Sequence, residues 1–173
     1  MAMAKALTTS KYQHWCTPRW LWELVAEFFG GQISLDPCSN KWTSVKARTR
    51  WTKADDGLSR YWSDGTFFNP PYGHVIKKWM EKAALEARGG GRVIGLIPAR
   101  VDTTWWHNNV PPEARAVVFL KKRVKFERPR RHGPSWTAGF PSAVILWSHT
   151  RNRAWEVARF RRLFSPIGWV VEI

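Results

Sequence analysis

Residues 66–98, TFFNPPYGHVIKKWMEKAALEARGGGRVIGLIP, decide the architecture. Thr66 to Asn69 is a short apolar strand that closes on Asn-Pro-Pro-Tyr, the kind of turn signal that ends a strand. Ile76 to Ala87 is helical, with Ile76, Trp79, Met80, Ala83, Ala84 and Ala87 on one face, and Gly89 to Gly91 stop it. Arg92 to Pro98 is nearly continuously apolar, as in strands buried on both faces.

The same alternation extends in both directions. Upstream, Thr17 as N-cap and Pro18 at the first helical position start a helix carrying Leu21, Leu24, Val25 and Phe28, which Gly30 and Gly31 end. Ile33 to Asp36 is a strand ending in an acid, and Ser44 to Thr52 holds a further strand closed by Ala54-Asp55-Asp56-Gly57. Downstream, Ala116 to Leu120, Ala143 to Trp147 and Trp169 to Ile173 are strands. A helix over Asn152 to Phe164 carries Arg153, Arg159, Arg161 and Arg162 on its polar face. Strands alternating with helices predict an α/β fold, a doubly wound, mostly parallel sheet in one compact domain over residues 14–173, behind a flexible tail over 1–13. In such sheets ligands sit at the carboxyl ends of the strands, where Asp36, Asp55, Asp56 and Asn69 fall.

Composition narrows the partner. Of 173 residues, 28 are Lys or Arg and 13 Asp or Glu, a net charge of +15 that favours a polyanion, most commonly nucleic acid. Thirteen tryptophans add a little, since some can stack on bases. Two cysteines, Cys16 and Cys38, exclude a disulfide framework and a zinc ribbon and fit a reducing, cytoplasmic setting. No apolar run is long enough to span a bilayer, and Met1 to Lys11 lacks the apolar core of a secretory signal, so no membrane partner is expected. The oligomeric state is not legible beyond a monomer or a weak dimer.

Asn69-Pro70-Pro71-Tyr72 carries chemistry. Its two prolines remove two backbone donors and fix φ at both positions, so the turn presents acceptors. An exocyclic amine needs acceptors to become nucleophilic, because its lone pair is delocalised into the ring. The Asn69 side-chain oxygen and the Pro70 carbonyl can each take one amine hydrogen, and Tyr72 offers a face for a planar base. A DNA base reaches such a pocket only by leaving the helix.

This turn resembles that of the amino-group methyltransferases that use S-adenosylmethionine. The ordered set Trp15-Cys16-Thr17-Pro18, Leu35-Asp36-Pro37-Cys38-Ser39, Asp55-Asp56-Gly57-Leu58 with Trp62, Asn69-Pro70-Pro71-Tyr72-Gly73, Pro98-Ala99-Arg100 with Asp102-Thr103, Arg123-Val124-Lys125-Phe126 and Phe140-Pro141-Ser142 is similar to the small phage-type Dam-like DNA adenine methyltransferases over about residues 14–147. The resemblance implies a Rossmann-like methyltransferase sheet, transfer of a methyl group to adenine N6 in DNA, and no metal. It also implies a catalytic turn of Asn69, Pro70, Pro71 and Tyr72. Cofactor contacts would come from Trp15, Thr17, Pro18, Asp36, Pro37, Cys38, Asp55, Asp56, Gly57, Leu58 and Asn69. Of these, Thr17 and Pro18 would seat the methionine part with Asp36 near it, and Asp55 or Asp56 would take the ribose hydroxyls or the adenine amine. No glycine-rich loop follows the first strand; Asp36-Pro37-Cys38-Ser39 stands there instead.

Lys121, Lys122, Arg123, Lys125, Arg128, Arg130 and Arg131, with Arg100, are the candidate phosphate contacts. Arg130 to Ser135 reads as a mobile loop. Phe126 and Trp136 are open to base stacking and to core packing alike. The chain leaves little room for a separate recognition domain, so specificity is expected to be short or weak, read by this loop and the segment around Trp105 and Trp106. Cys38 as a nucleophile is set aside, since no Glu-Asn-Val follows and amine methylation needs no covalent intermediate. Metal binding by Cys16, Cys38, His14 and His74 is set aside for lack of ligand spacing. Cytosine N4, an RNA base or a protein glutamine as the methylated amine, and a basic nucleic-acid-binding module without turnover, remain open.

Overall fold

A computed structural model describes residues 16–127 and 136–173. Helix α1 (Arg19–Phe28) leads into β1 (Ile33–Asp36), and β2 (Ala47–Arg50) and a 3-10 turn (Lys53–Asp55) follow. Next come β3 (Thr66–Phe68), α2 (Ile76–Arg88), β4 (Val93–Pro98), α3 (Thr104–Asn109) and β5 (Ala114–Leu120). The chain continues through β6 (Lys125–Phe126), β7 (Trp136–Thr137), β8 (Ser142–Trp147), α4 (Arg153–Phe164) and β9 (Gly168–Glu172).

Seven strands form one sheet in the order β2-β1-β3-β4-β8-β5-β9, and β6 pairs with β7 in a separate hairpin. Strands β2, β1, β3, β4 and β5 run one way, while β8 and β9 run against their neighbours. The sheet is the mostly parallel α/β sheet that the alternation predicts. Strand β8 reverses because no crossover helix separates it from β5.

Side-chain alternation divides the core. Phe67, Ile94, Leu96, Val118 and Val144 face α1 and α4, and Phe68, Val93, Ile97, Val117 and Trp147 face α2 and α3. Gly95, in the middle of β4, leaves room for aromatic rings: a Cβ there would lie 2.6 Å from the Phe68 ring and 3.1 Å from Trp147. Those two rings sit 5.8 Å apart.

Several local expectations shift. Strand β3 stops at Phe68 because the two prolines after Asn69 have no N–H to continue a ladder. Strand β2 is shorter than Ser44 to Thr52 because the residues before it are drawn toward α1: the Ser44 hydroxyl donates to the Thr17 carbonyl at 3.1 Å and Val45 is buried. Thr17 is not the N-cap of α1. Pro18 occupies that position and has no side-chain oxygen to cap the helix. Helix α3 and the β6–β7 hairpin have no counterpart in the sequence reading; α3 is too short for periodicity to register, and buries Trp106.

Candidate active site

The candidate site lies on the rim at the carboxyl end of the parallel strands. Strands β1 and β3 are neighbours, with Leu35 opposite Thr66, so Asp36 and Asn69 leave the sheet side by side. Between them lies a polar recess of about 10 Å³, room for one water, lined by Thr17, Asp36, Cys38, Ser39, Asn40, Thr43 and Asn69 over a floor of Val45 and Phe67.

Asp36 is 4% exposed and no ion pair compensates it among the described residues. Burial pushes its carboxyl up to about 7, against the pull of the Cys38 N–H, the Ser39 and Cys38 side chains and the Arg50 charge. The Cys38 N–H donates to Asp36 Oδ1 at 3.2 Å. Burial and the Asp36 charge hold the Cys38 thiol well above its ordinary range, which leaves it a poor nucleophile.

Asn69 is held at both ends of its amide. Nδ2 donates to Thr17 Oγ1 at 3.1 Å, and Oδ1 accepts the Tyr72 hydroxyl at 2.7 Å. Burial raises the Tyr72 phenol, which stays protonated and acts as a donor. The Tyr72 ring meets Phe140 edge-on at 5.4 Å and Phe126 at 6.4 Å. Phe126 in turn stacks on Trp136 at 6.2 Å with 16° between the planes. An aromatic wall therefore stands beside the Asn-Pro-Pro-Tyr turn.

The family model for the DNA N-6-adenine-methyltransferases (Dam) matches residues 5–161. The chain belongs to that family. Among curated proteins, a search finds no match.

For a DNA adenine methyltransferase, the remaining residues divide plainly between those that reach the rim and those that do not. Pro18 and the buried Pro37 and Pro70 shape the chain around the recess, with Pro71 half-buried beside them. Gly57 backs onto the Pro37 turn so closely that a Cβ there would lie 2.1 Å from the Pro37 carbonyl oxygen, and the Trp62 indole donates to the Gly57 carbonyl at 2.7 Å. Leu58 packs into the α2 side of the core. Asp55 does not line the recess. Its carboxylate accepts from the Thr52 N–H at 2.8 Å and the Thr52 hydroxyl at 2.9 Å, which lower its pKa and close its own turn. Asp56 is exposed, with a left-handed backbone at φ 48°.

Exposed Lys121, Lys122, Arg123 and Lys125 follow the carboxyl end of β5, on the same rim, and half-buried Arg100 follows β4. Arg128, Arg130, Arg131 and Trp15 lie outside the described residues. Phe126 is fully buried, so of its two open roles the structure has it packing, while Trp136 remains partly exposed. Trp106 is 5% exposed and belongs to the core, not to a surface that could read DNA.

Two features escaped the sequence reading. Phe140 touches Tyr72, although the sequence offers only a place in an ordered motif for it. The hairpin is stitched to the segment before α1: Cys16 and Glu127 exchange backbone hydrogen bonds of 3.0 Å in both directions, and the Glu127 carboxylate accepts from the Arg19 N–H at 3.0 Å. Partners so distant along the chain leave no local signal. No group of three His, Cys, Asp or Glu is arranged to hold a metal among the described residues. No described helix is long and apolar enough to cross a membrane.

Proposed function

We propose that the chain transfers a methyl group from S-adenosylmethionine to the exocyclic N6 amine of adenine in DNA, after the base has left the duplex. The observation that carries this reading is the Asn69 amide, whose oxygen already accepts a hydrogen bond at the mouth of the site, from Tyr72. In turnover Asn69 Oδ1 and the Pro70 carbonyl accept the two amine hydrogens, drawing the nitrogen lone pair out of conjugation and toward the electrophile. Tyr72 releases Asn69 and holds the base against its ring, and Phe126, Trp136 and Phe140 fix where that ring can go.

The recess suits the charged end of the cofactor. It holds a carboxyl raised by burial, with the hydroxyls of Ser39 and Thr43 and the Asn40 amide around it. When bound, S-adenosylmethionine supplies an electrophilic methyl group on a positively charged sulfonium. Asp36 would hold the cationic end; Asp56, exposed beside Gly57 and the Pro37 turn, is the freer of the two acids for a hydroxyl or amine of the nucleoside. Lys121, Lys122, Arg123 and Lys125, with Arg100, would bind phosphates beside the flipped base.

Incubation of the purified chain with labelled S-adenosylmethionine and unmethylated DNA, followed by nucleoside analysis, tests the reading. Label in N6-methyladenine is expected. Label in N4-methylcytosine, in RNA or in protein would change the substrate and keep the turn, and no transfer to any of these would leave a basic nucleic-acid-binding module.

A further inference from the structure

We propose that Thr17 is a positioning residue for the transfer step, holding the Asn69 amide by its Nδ2 so that Oδ1 faces the substrate amine. The proposal rests on the reading of Asn69 Oδ1 as the amine acceptor. An amide has unlike ends, and a half-turn about its last side-chain bond would exchange Oδ1 for Nδ2. An N–H₂ group facing an amine donor opposes the reaction, so the productive amide needs an acceptor for Nδ2 at its far end. That partner is Thr17 Oγ1, which accepts from Asn69 Nδ2 at 3.1 Å across 52 residues of sequence.

Thr17 itself is set firmly. It is 2% exposed, and it sits between Pro18, at φ −65°, and Cys16, which is bound to Glu127 on both backbone groups. Ser44 donates to its carbonyl at 3.1 Å. A threonine just ahead of a helix ordinarily turns its hydroxyl to the free helix N–H groups. Here the Glu127 carboxylate takes the Arg19 N–H at 3.0 Å, and the Thr17 oxygen goes to Asn69. Tyr72 meets the opposite end of the amide, so Thr17, Asn69 and Tyr72 form one hydrogen-bonded line from buried backbone to substrate face.

The test compares the full-length chain with Thr17→Val and Thr17→Ser, measuring kcat on unmethylated duplex DNA, the Kd for S-adenosylmethionine by calorimetry, and Tm. Thr17→Val is expected to lower kcat about 10- to 100-fold while the cofactor Kd stays within about threefold, and Thr17→Ser, which keeps the oxygen, to stay within about threefold in both. A Thr17→Val chain with unchanged kcat and weakened cofactor binding would overturn the proposal, because Thr17 would then serve only the cofactor. Equal loss in Thr17→Ser would overturn it as well. Should Thr17→Val fail to fold, Thr17→Ala is measured in its place and read the same way. If the unaltered chain methylates no adenine in DNA, the reading of Asn69 fails first and the proposal falls with it.

Discussion

Asp36 and Asp55 stand at comparable places, one ending β1 and the other closing the turn after β2, yet their environments push them in opposite directions. Asp36 is buried beside the recess with no cation paired to it among the described residues, and burial raises its carboxyl to about 7. Asp55 accepts two hydrogen bonds from Thr52, and its carboxyl falls below the ordinary range. A carboxylate that is satisfied by its own turn stabilises the fold and has little left to offer a ligand. One that folding buries with hydrogen bonds but no paired cation weakens the fold and is available to a cation. The identity of an acid therefore says less about its role than what surrounds it.

Substitution at Asp36 offers the sharpest way to break this comparison. Asp36→Asn is expected to weaken S-adenosylmethionine binding by about 100-fold or more, as a buried charge partner is lost, while raising the stability of the ligand-free chain at pH 8. The sign follows from the direction of the shift. A carboxyl raised on folding contributes stability fully below its unfolded value of 3.8, and that contribution is lost as pH rises toward about 7. Removing it at pH 8 relieves at most about 4 kcal/mol. Calorimetric Kd and Tm on the same sample would check both halves, and a destabilised Asp36→Asn chain would contradict the role given to burial.

The pH dependence of cofactor binding follows from the same group. Affinity of the unaltered chain is expected to fall up to about tenfold per unit as pH drops below about 7, because the cation is held by the ionised form. Asp36→Asn should flatten that profile, and a profile unchanged by the substitution would assign the titration to another group.

A position in the dry core supplies a contrast of moderate size. Gly95→Ala should cost about 1–3 kcal/mol in chemical denaturation by forcing the Phe68 ring and Trp147 aside, with kcat little changed in the folded fraction. The smallest effect belongs to Asp55. Asp55→Ala should lower Tm slightly through loss of the turn's own hydrogen bonds, with cofactor Kd moving by less than about twofold. A large loss of cofactor affinity there would return Asp55 to the binding site.

Much of this molecule was legible before folding. The apolar run over Arg92 to Pro98 announced a buried strand, the spacing from Ile76 to Ala87 a helix, and Asn69-Pro70-Pro71-Tyr72 an acceptor-rich strand end, because each depends on residues a few positions apart. Prolines that cannot donate, and apolar faces that must be buried, act locally and leave their mark in composition and period. The division of labour between Asp36 and Asp55 left no such mark, since both are acids in turn-like contexts, and burial is a property of what packs above them. Thr17 shows the same limit. As a threonine before a proline it reads as a helix cap, and only the approach of β3 to the start of α1 brings Asn69 within 3.1 Å and redirects the hydroxyl. Sequence alone therefore determined the strands and longer helices of the α/β fold and the acceptor-rich composition of its turn. Tertiary structure decided which hydroxyl holds the amide and which acid stands uncompensated, because hydrogen bonding and desolvation depend on contacts between segments far apart in the chain.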